Sequence, residues 1–572
     1  MLATSLTSAS HAAPSEAQKL GAIFDSYWKW RMADSPEEAT WNGYPGQNDR
    51  WQDLSPQAIE HRHQEVARYL AKLDQIARPK LPATEQTSFD VFKYDLTNQV
   101  EAARYPEDVL QLTQLNGIHI DPAQLFNASP TATAKDMENL LARLRGFPAR
   151  MDQTIALLES GLKQGITPPR ITLRDVPEQI HAQIVEQPEK SPLFEPFKKK
   201  PEYQGEAKNL IATKVVPAYR KLLAFINDQY LPGTRETTAF TAVPRGKDWY
   251  ELKVRANTTT RLTAQEIHEI GLSEVKRIRA QMDQIITSVG FKGDFKAFSE
   301  YLRTDARFYF GSREALLKEC RDIAKRIDPE LIRLFGKLPR LPYGVSPVPE
   351  YSEKSAPGGY YEPGSLMAGR PGVIYINTYD LKSRPSWALE SLIAHESVPG
   401  HHLQGSIALE MDKVPEFRKF GWYTAYGEGW ALYAESLGAE IGLYKDPFSE
   451  FGHLGEEMLR AVRLVVDTGM HALGWSRQRA IDYFLANSPT VEHEVIVEID
   501  RYLVWPGQAL GYKIGQLKIK ELREKWQKEL GPKFDLRSFH DAALANGAVP
   551  LDVLEKHLAE WAAERRKLKS GT

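Results

Sequence analysis

The chain has 572 residues, with 73 Lys and Arg against 75 Asp and Glu, a formal charge of -2 and one cysteine, Cys320. That balance gives no electrostatic reason to expect nucleic acid or a membrane surface as partner, and no run approaches the ~20 apolar residues of a membrane span. A lone cysteine excludes an intrachain disulfide and a thiolate zinc cluster, so a soluble enzyme, too long for one ordinary core, fits best.

Residues 1–15 are rich in Ser, Thr and Ala. They fit either the remnant of an export signal, which would put the protein in the periplasm or outside the cell, or an unstructured start on a cytoplasmic protein. From Glu16 the periodicity is helical: Leu20, Phe24 and Tyr27 open the first segment, Ile59 to Leu73 form the next, and Leu141, Leu144, Phe147 and Met151 line one side of Met137 to Leu158. Residues 16–200 therefore read as an N-terminal helical scaffold, and 201–565 as a catalytic helical region ahead of a disordered tail, 566–572. A helix over Ala207 to Gln229 is expected to kink at Pro217. Thr263 caps Ala264 to Ser288, with Glu266 placed for a capping box. Residues 240–255 and 372–379 alternate with period two, the signature of strands. The second of these, Gly372-Val-Ile-Tyr-Ile-Asn-Thr-Tyr379, follows a Gly-, Pro- and Tyr-rich stretch at 354–371, and its edge could align an extended peptide through backbone hydrogen bonds. Pro385 then starts a helix over Trp387 to Glu396. Further helices are expected near 427–442, 454–473, 477–485, 491–505, 509–530 and 551–563. The fold class is mainly α, with a small β-sheet beside the active-site helix. No phosphate-cradling glycine loop precedes a helix, which leaves ATP or nicotinamide chemistry without support.

Residues 395–402 read His-Glu-Ser-Val-Pro-Gly-His-His, three imidazoles and a carboxylate within eight positions. In the ordinary zinc-protease helix two histidines stand four residues apart and face one ion. Here the gap is six residues to His401 or seven to His402, and an unbroken helix would turn His401 about 600° from His395, nearly the opposite face. Pro399 lacks the N–H that would bond the His395 carbonyl, and Gly400 tolerates backbone that a side chain forbids. A bulge there would drop His401 into the position of the second ligand, with His402 as the alternative. Glu428, between Gly427 and Gly429 at the opening of a helix, is the expected third ligand, the glycines leaving room for the metal. Glu435, two turns further along the same face, could hydrogen-bond a ligand histidine from outside. Zinc held by two histidines and a glutamate keeps a place for water, and Glu396 is positioned to take that water's proton and return it to a leaving amine.

Arg463, Asp467 and His471 recur every four positions in an otherwise apolar helix. His471 could donate to a substrate oxyanion, Asp467 could support the ligands, and a buried ion-pair network explains the stripe equally well. Tyr512, then Tyr502, are candidates to stabilise the oxyanion. Asn377, Tyr375 and Gln508 are candidate substrate contacts, and Arg501 or Arg370 could receive a terminal carboxylate.

These residues resemble the bacterial family known as domain of unknown function 885, whose hallmark is the His-Glu-x-x-Pro-Gly-His-His segment. Arg370-Pro-Gly372 with Asn377, Glu428-Gly-Trp-Ala, Arg463 through His471, Arg501-Tyr502, Pro506-Gly-Gln-Ala509, and Phe539-His540 through Pro550 match as well. The resemblance implies a mostly helical zinc-dependent peptidase, distantly similar to oligopeptidases and carboxypeptidases that enclose their metal in a helical channel. It also implies short peptides as substrates, since such a channel admits an extended chain and excludes a folded protein. Many such proteins carry export or lipoprotein signals. A hydrolase of another amide or ester, or a non-catalytic peptide-binding protein, are the competing readings; Glu396 favours catalysis, because a structural metal needs no base beside its ligand.

Overall fold

The computed structural model describes residues 14–350, 353, 357–364, 369–412 and 414–567. The expectations placed on residues 1–13 and 568–572, and on part of 354–371, lie outside the described residues. The body is mainly helical, with a three-stranded sheet against it.

The elements that build the site are α1 (Glu16–Asp34), α2 (Ala134–Gln164), α3 (Gly246–Thr258), α4 (Ala264–Ser288), α5 (Ser386–Glu396), α6 (His401–Leu409), α7 (Thr424–Glu440), α8 (Pro447–Ala472), α9 (Glu492–Val504) and α10 (Leu510–Leu530), with strands β1 (Tyr343–Pro347), β2 (Gly359–Glu362) and β3 (Gly372–Ile376). Local rules account for many of the ends. Thr263 and Glu266 form the reciprocal capping box of α4, and Pro385 precedes the first residue of α5. The segment expected to kink at Pro217 passes through two π-helical turns, Ile211–Val215 and Ile226–Tyr230, and Pro217 follows closely on the first of them, a local widening near the residue that has no N–H to donate.

Two strand expectations need correction. Residues 240–255 are helical: a 3-10 turn at Phe240–Ala242 leads into α3, which buries Trp249, Tyr250, Leu252 and Val254. Burial on several sides of a short helix mimics a period of two. The strand at 372 stops at Ile376 and is the centre of its sheet, parallel to β1 (Tyr343↔Gly372) and antiparallel to β2 (Gly359↔Ile376). Both of its edges are already paired, so it cannot receive a peptide strand.

One core joins distant parts of the chain. Leu20, Phe24 and Tyr27 of α1 share a buried cluster with Leu389 and Ile393 of α5, Trp430 of α7 and Trp526 of α10, and the Phe24 and Phe417 rings lie 5.0 Å apart. A second cluster runs from Leu112 to Tyr230 and holds Leu141, Leu144, Phe147 and Met151 of α2 on one face. Glycines set the helix spacing near the site. A Cβ on Gly515 of α10 would overlap the Ala425 carbonyl of α7, so only glycine permits that approach. Cys320 is buried, and burial pushes its thiol up to about 12, which leaves it inert.

Candidate metal centre

Helix α5 ends at Glu396 and α6 starts at His401, with a turn over residues 397–400 between them. Pro399 in this turn follows a cis peptide bond, and the His402 amide bonds back to the Ser397 carbonyl at 3.0 Å. Gly400 is required here for space. A Cβ at that position would fall on the His395 carbonyl oxygen, while its φ of -80° is ordinary. The break is stitched to α7 by Trp430, whose Nε1–H donates to the Pro399 carbonyl at 2.9 Å.

The consequence is that His395 and His401 converge, with ring centroids 4.7 Å apart and planes at 89°. Glu428 of α7 completes the group, its Oε2 lying 3.5 Å from His395 Nε2 and 3.4 Å from His401 Nε2. The three ligand atoms all fall within 4.8 Å of one another. Donor atoms about 2.0–2.1 Å from a tetrahedral zinc stand roughly 3.4 Å apart, so the Glu428 separations fit such an ion. Gly427 and Gly429, expected to leave room for the metal, have a different task. A Cβ on Gly427 would enter the Trp422 ring, and one on Gly429 would meet Gly515 of α10, so the glycines seat α7 and thereby aim Glu428.

Behind the ligands, His395 Nδ1–H donates to Glu435 Oε1 at 2.7 Å. An ionised carboxylate only accepts, so the ring proton sits on Nδ1 and Nε2 is left as the ligand atom. The other Glu435 oxygen accepts from Ser391 Oγ at 2.6 Å, and Arg460 Nη2 stands 3.7 Å from Oε1. Burial opposes a charge on His395, but Glu428 and Glu435 outweigh it and raise the imidazole to about 10. Burial alone would raise the Glu428 carboxyl; His401 and His395 hold it well below the usual range. The two carboxylates thus favour positive charge at the point where the three donor atoms meet, the charge that a divalent ion would bring. Glu396, half-buried at the end of α5, is raised by burial against the pull of His395 and His401.

His402 is turned away from this centre. Its Nε2 faces the Leu341 carbonyl at 3.0 Å, its Nδ1 lies 3.1 Å from the Tyr361 hydroxyl, and burial lowers it to about 4. The alternative ligand is therefore a structural histidine that ties α6 to the sheet.

Other candidates fall elsewhere. His471 accepts from the Phe240 amide at Nδ1 (3.0 Å) and donates from Nε2 to the Tyr502 carbonyl (3.0 Å), leaving no ring nitrogen for an oxyanion. Asp467 accepts from the Tyr250 hydroxyl at 2.6 Å and the Gly507 amide at 3.1 Å, bracing the loop between α9 and α10 in place of the ligands. Tyr502 is buried with its hydroxyl between Arg463 and Glu498. Asn377 holds the end of β3, donating to the Glu353 carbonyl at 2.7 Å, while Tyr375 stacks on Tyr360 with centroids 5.2 Å apart. Arg370 is exposed just before β3. Tyr512, Arg501 and Gln508 do come together: Arg501 Nη2 donates to Gln508 Oε1 at 2.7 Å and to the Tyr512 hydroxyl at 3.3 Å. Tyr512 lies between Gly511 and Gly515, which pack on Ala425 and Gly429 of α7 around Glu428, and burial, then the charge of Glu428, raises its phenol. Sequence reasoning missed Ser391 and Arg460. Ser391 is four residues before His395, so helical spacing alone puts it on the ligand face; Arg460 had no such local signal.

A helical body that converges His395, His401 and Glu428 on one point defines a candidate metalloprotein. The chain belongs to the bacterial protein family of unknown function DUF885, which it matches over residues 36–558. It is similar to a candidate lipoprotein from Colwellia psychrerythraea, whose crystal structure superposes with a TM-score of 0.90 at 30% identity, covering 96% of this chain and 100% of that one. A candidate lipoprotein of unknown function from Shewanella oneidensis shares the fold, with a TM-score of 0.70 at 18% identity over 96% of this chain and 100% of that one. Among curated proteins none matches.

Proposed function

We propose that this protein is a zinc-dependent peptidase that hydrolyses short peptides, with His395, His401 and Glu428 holding the ion and Glu396 as general base. The observation that carries this reading is the convergence of three ligand atoms from two helices and a remote glutamate, with a carboxylate next in sequence to the first ligand. A bound zinc would polarise the scissile carbonyl and acidify a water at its open position. Glu435 fixes the His395 tautomer and ring angle, so that Nε2 is turned toward Glu428 and free to hold an ion. Glu396 has a carboxyl raised by burial, which makes it a stronger base than an exposed glutamate. It takes a proton from the attacking water as the water oxygen joins the carbonyl carbon, and returns that proton to the amine as the C–N bond breaks. Tyr512, on the stretch of α10 that packs against α7 around Glu428, is the candidate donor to the developing oxyanion.

No helix among the described residues is long and apolar enough to cross a membrane. A periplasmic or secreted location is part of the proposal, supported by the description of the two similar structures as candidate lipoproteins.

The test is metal analysis of the purified protein together with a panel of short peptides, amides and esters, with and without a chelator. The expected result is one zinc per chain, chelator-sensitive peptide cleavage, and a Glu396→Gln variant that keeps its zinc and loses cleavage by a factor of about 100 or more. A protein that binds no zinc, or cleavage indifferent to both chelator and Glu396→Gln, overturns the proposal.

A further inference from the structure

Two guanidinium groups beside the metal residues share a single carboxylate. Arg463 on α8, with its side chain only 6% exposed, donates from Nε to the Tyr502 hydroxyl at 2.9 Å and from Nη2 to Glu498 Oε2 at 2.9 Å. Arg501 on α9 donates from Nη1 to the other oxygen of the same Glu498 at 3.2 Å, and its Nη2 serves Gln508 and Tyr512. One negative charge thus answers two positive ones. Arg463 Nη1 and Arg501 Nε are buried and donate to nothing among the described residues. A buried charged donor without a partner is costly, so the arrangement calls for an anion that arrives with a ligand.

The pair adjoins the metal centre. The Arg463 guanidinium lies 4.4 Å over the ring of Tyr512, and the Gly511 and Gly515 that flank Tyr512 on α10 pack on Ala425 and Gly429 of α7, around Glu428. One turn earlier on the same helix, Arg460 reaches Glu435. Gln508, which accepts from Arg501, also lines a cavity of about 330 Å³ together with Trp505 and Lys253, a volume in the range of small-ligand sites; the cavity reaches this partner of the pair, and the two arginines are not in its lining.

We infer that Arg463 and Arg501, with Tyr512, bind the free α-carboxylate of a short peptide, so that the enzyme acts at the C-terminal end of its substrate. This rests on the peptidase reading above and narrows it. A carboxylate brings the one negative charge that the site lacks, and its planar oxygens suit the guanidinium fork. An internal peptide bond, or a peptide closed by an amide, offers no such group.

The probes are tri- and tetra-alanine, each as the free acid and as the C-terminal amide. With zinc-loaded full-length protein, kcat/KM for the acids should exceed that for the amides by about 10- to 100-fold, carried by KM, and the ratio should fall to within about threefold of one in Arg501→Gln. Arg501 is the variant of choice because its side chain is 17% exposed and less built into the core than Arg463; a thermal melt checks its fold. The same peptides are titrated calorimetrically into Glu396→Gln protein, where binding is read without turnover. The acids should bind about tenfold tighter or better than the amides, and Glu396→Gln/Arg501→Gln should lose that preference. Equal binding of acid and amide, or binding of neither, overturns the subsite. Preferential binding of acids with no cleavage of either form keeps the subsite and removes the peptidase reading; equal cleavage of both forms keeps the peptidase and removes the subsite.

Discussion

Replacing Glu435 by glutamine tests whether the outer carboxylate governs the metal. Glu435 is 1% exposed, accepts from His395 at 2.7 Å and Ser391 at 2.6 Å, and has Arg460 within 3.7 Å. Glutamine has the same shape. Its carbonyl can still accept from His395 Nδ1–H while its amide donates to Ser391 Oγ, so the hydrogen bonds survive and only the charge is lost. A neutral acceptor leaves the imidazole less basic, and loss of such a partner typically weakens metal binding 10- to 100-fold, about 1.4–2.7 kcal/mol. Glu435→Ala removes the hydrogen bonds too and leaves the buried His395 Nδ1–H without its acceptor, while Arg460 keeps Glu456; this should cost about 1–3 kcal/mol of folding stability as well. The assay is competition for zinc against a chromophoric chelator, paired with urea unfolding of the metal-free protein. Zinc affinity unchanged within about twofold in Glu435→Gln would refute the reasoning, since the carboxylate would then be serving the fold alone.

His401→Ala should abolish stoichiometric zinc binding, whereas His402→Ala should keep it and destabilise the fold by about 2–4 kcal/mol through lost packing and the orphaned Leu341 carbonyl; metal content and urea midpoints separate the two, and the reverse pattern would move the ligand assignment to His402. Gly400→Ala forces a methyl group onto the His395 carbonyl, so the turn must shift and zinc affinity should fall at least about tenfold with little change in helix content. Burial lowers His471 to about 4 from 6.5, because a second proton would set Nδ1–H against the Phe240 amide. Its contribution is complete above pH 6.5 and is lost as pH falls toward 4, amounting to about 2 kcal/mol at pH 5. Urea unfolding of chelated wild type and His471→Gln at pH 7 and pH 5 checks this, with the wild type expected to lose about that much more.

How much of this was legible in the residues depended on range. The capping box at Thr263, the start of α5 after Pro385 and the apolar face of α2 rest on neighbours three or four positions apart, and a linear reading handles those well. The interruption between His395 and His401 was legible too, because a proline and a glycine act on the backbone immediately around them. Residues 240–255 misled, since a helix buried on several sides carries no clear period. The polar stripe on α8 was visible as a stripe, but its members serve three separate neighbourhoods: Arg463 the Glu498 pair, Asp467 the loop at Gly507, His471 two backbone groups.

By itself the sequence determined a helical chain, a broken ligand helix, and a Glu428–Glu435 pair on one face two turns apart, because helix periodicity and proline and glycine sterics are local. Only the tertiary structure decided that His401 and not His402 meets His395, that β3 is a closed central strand, and that two arginines converge on one glutamate. Those outcomes depend on where α5, α7, α8 and α10 cross, and the crossings are set by glycines at close approach and by a core drawing on residues from Leu20 to Ala562, a sum of weak contacts that no short window of sequence contains.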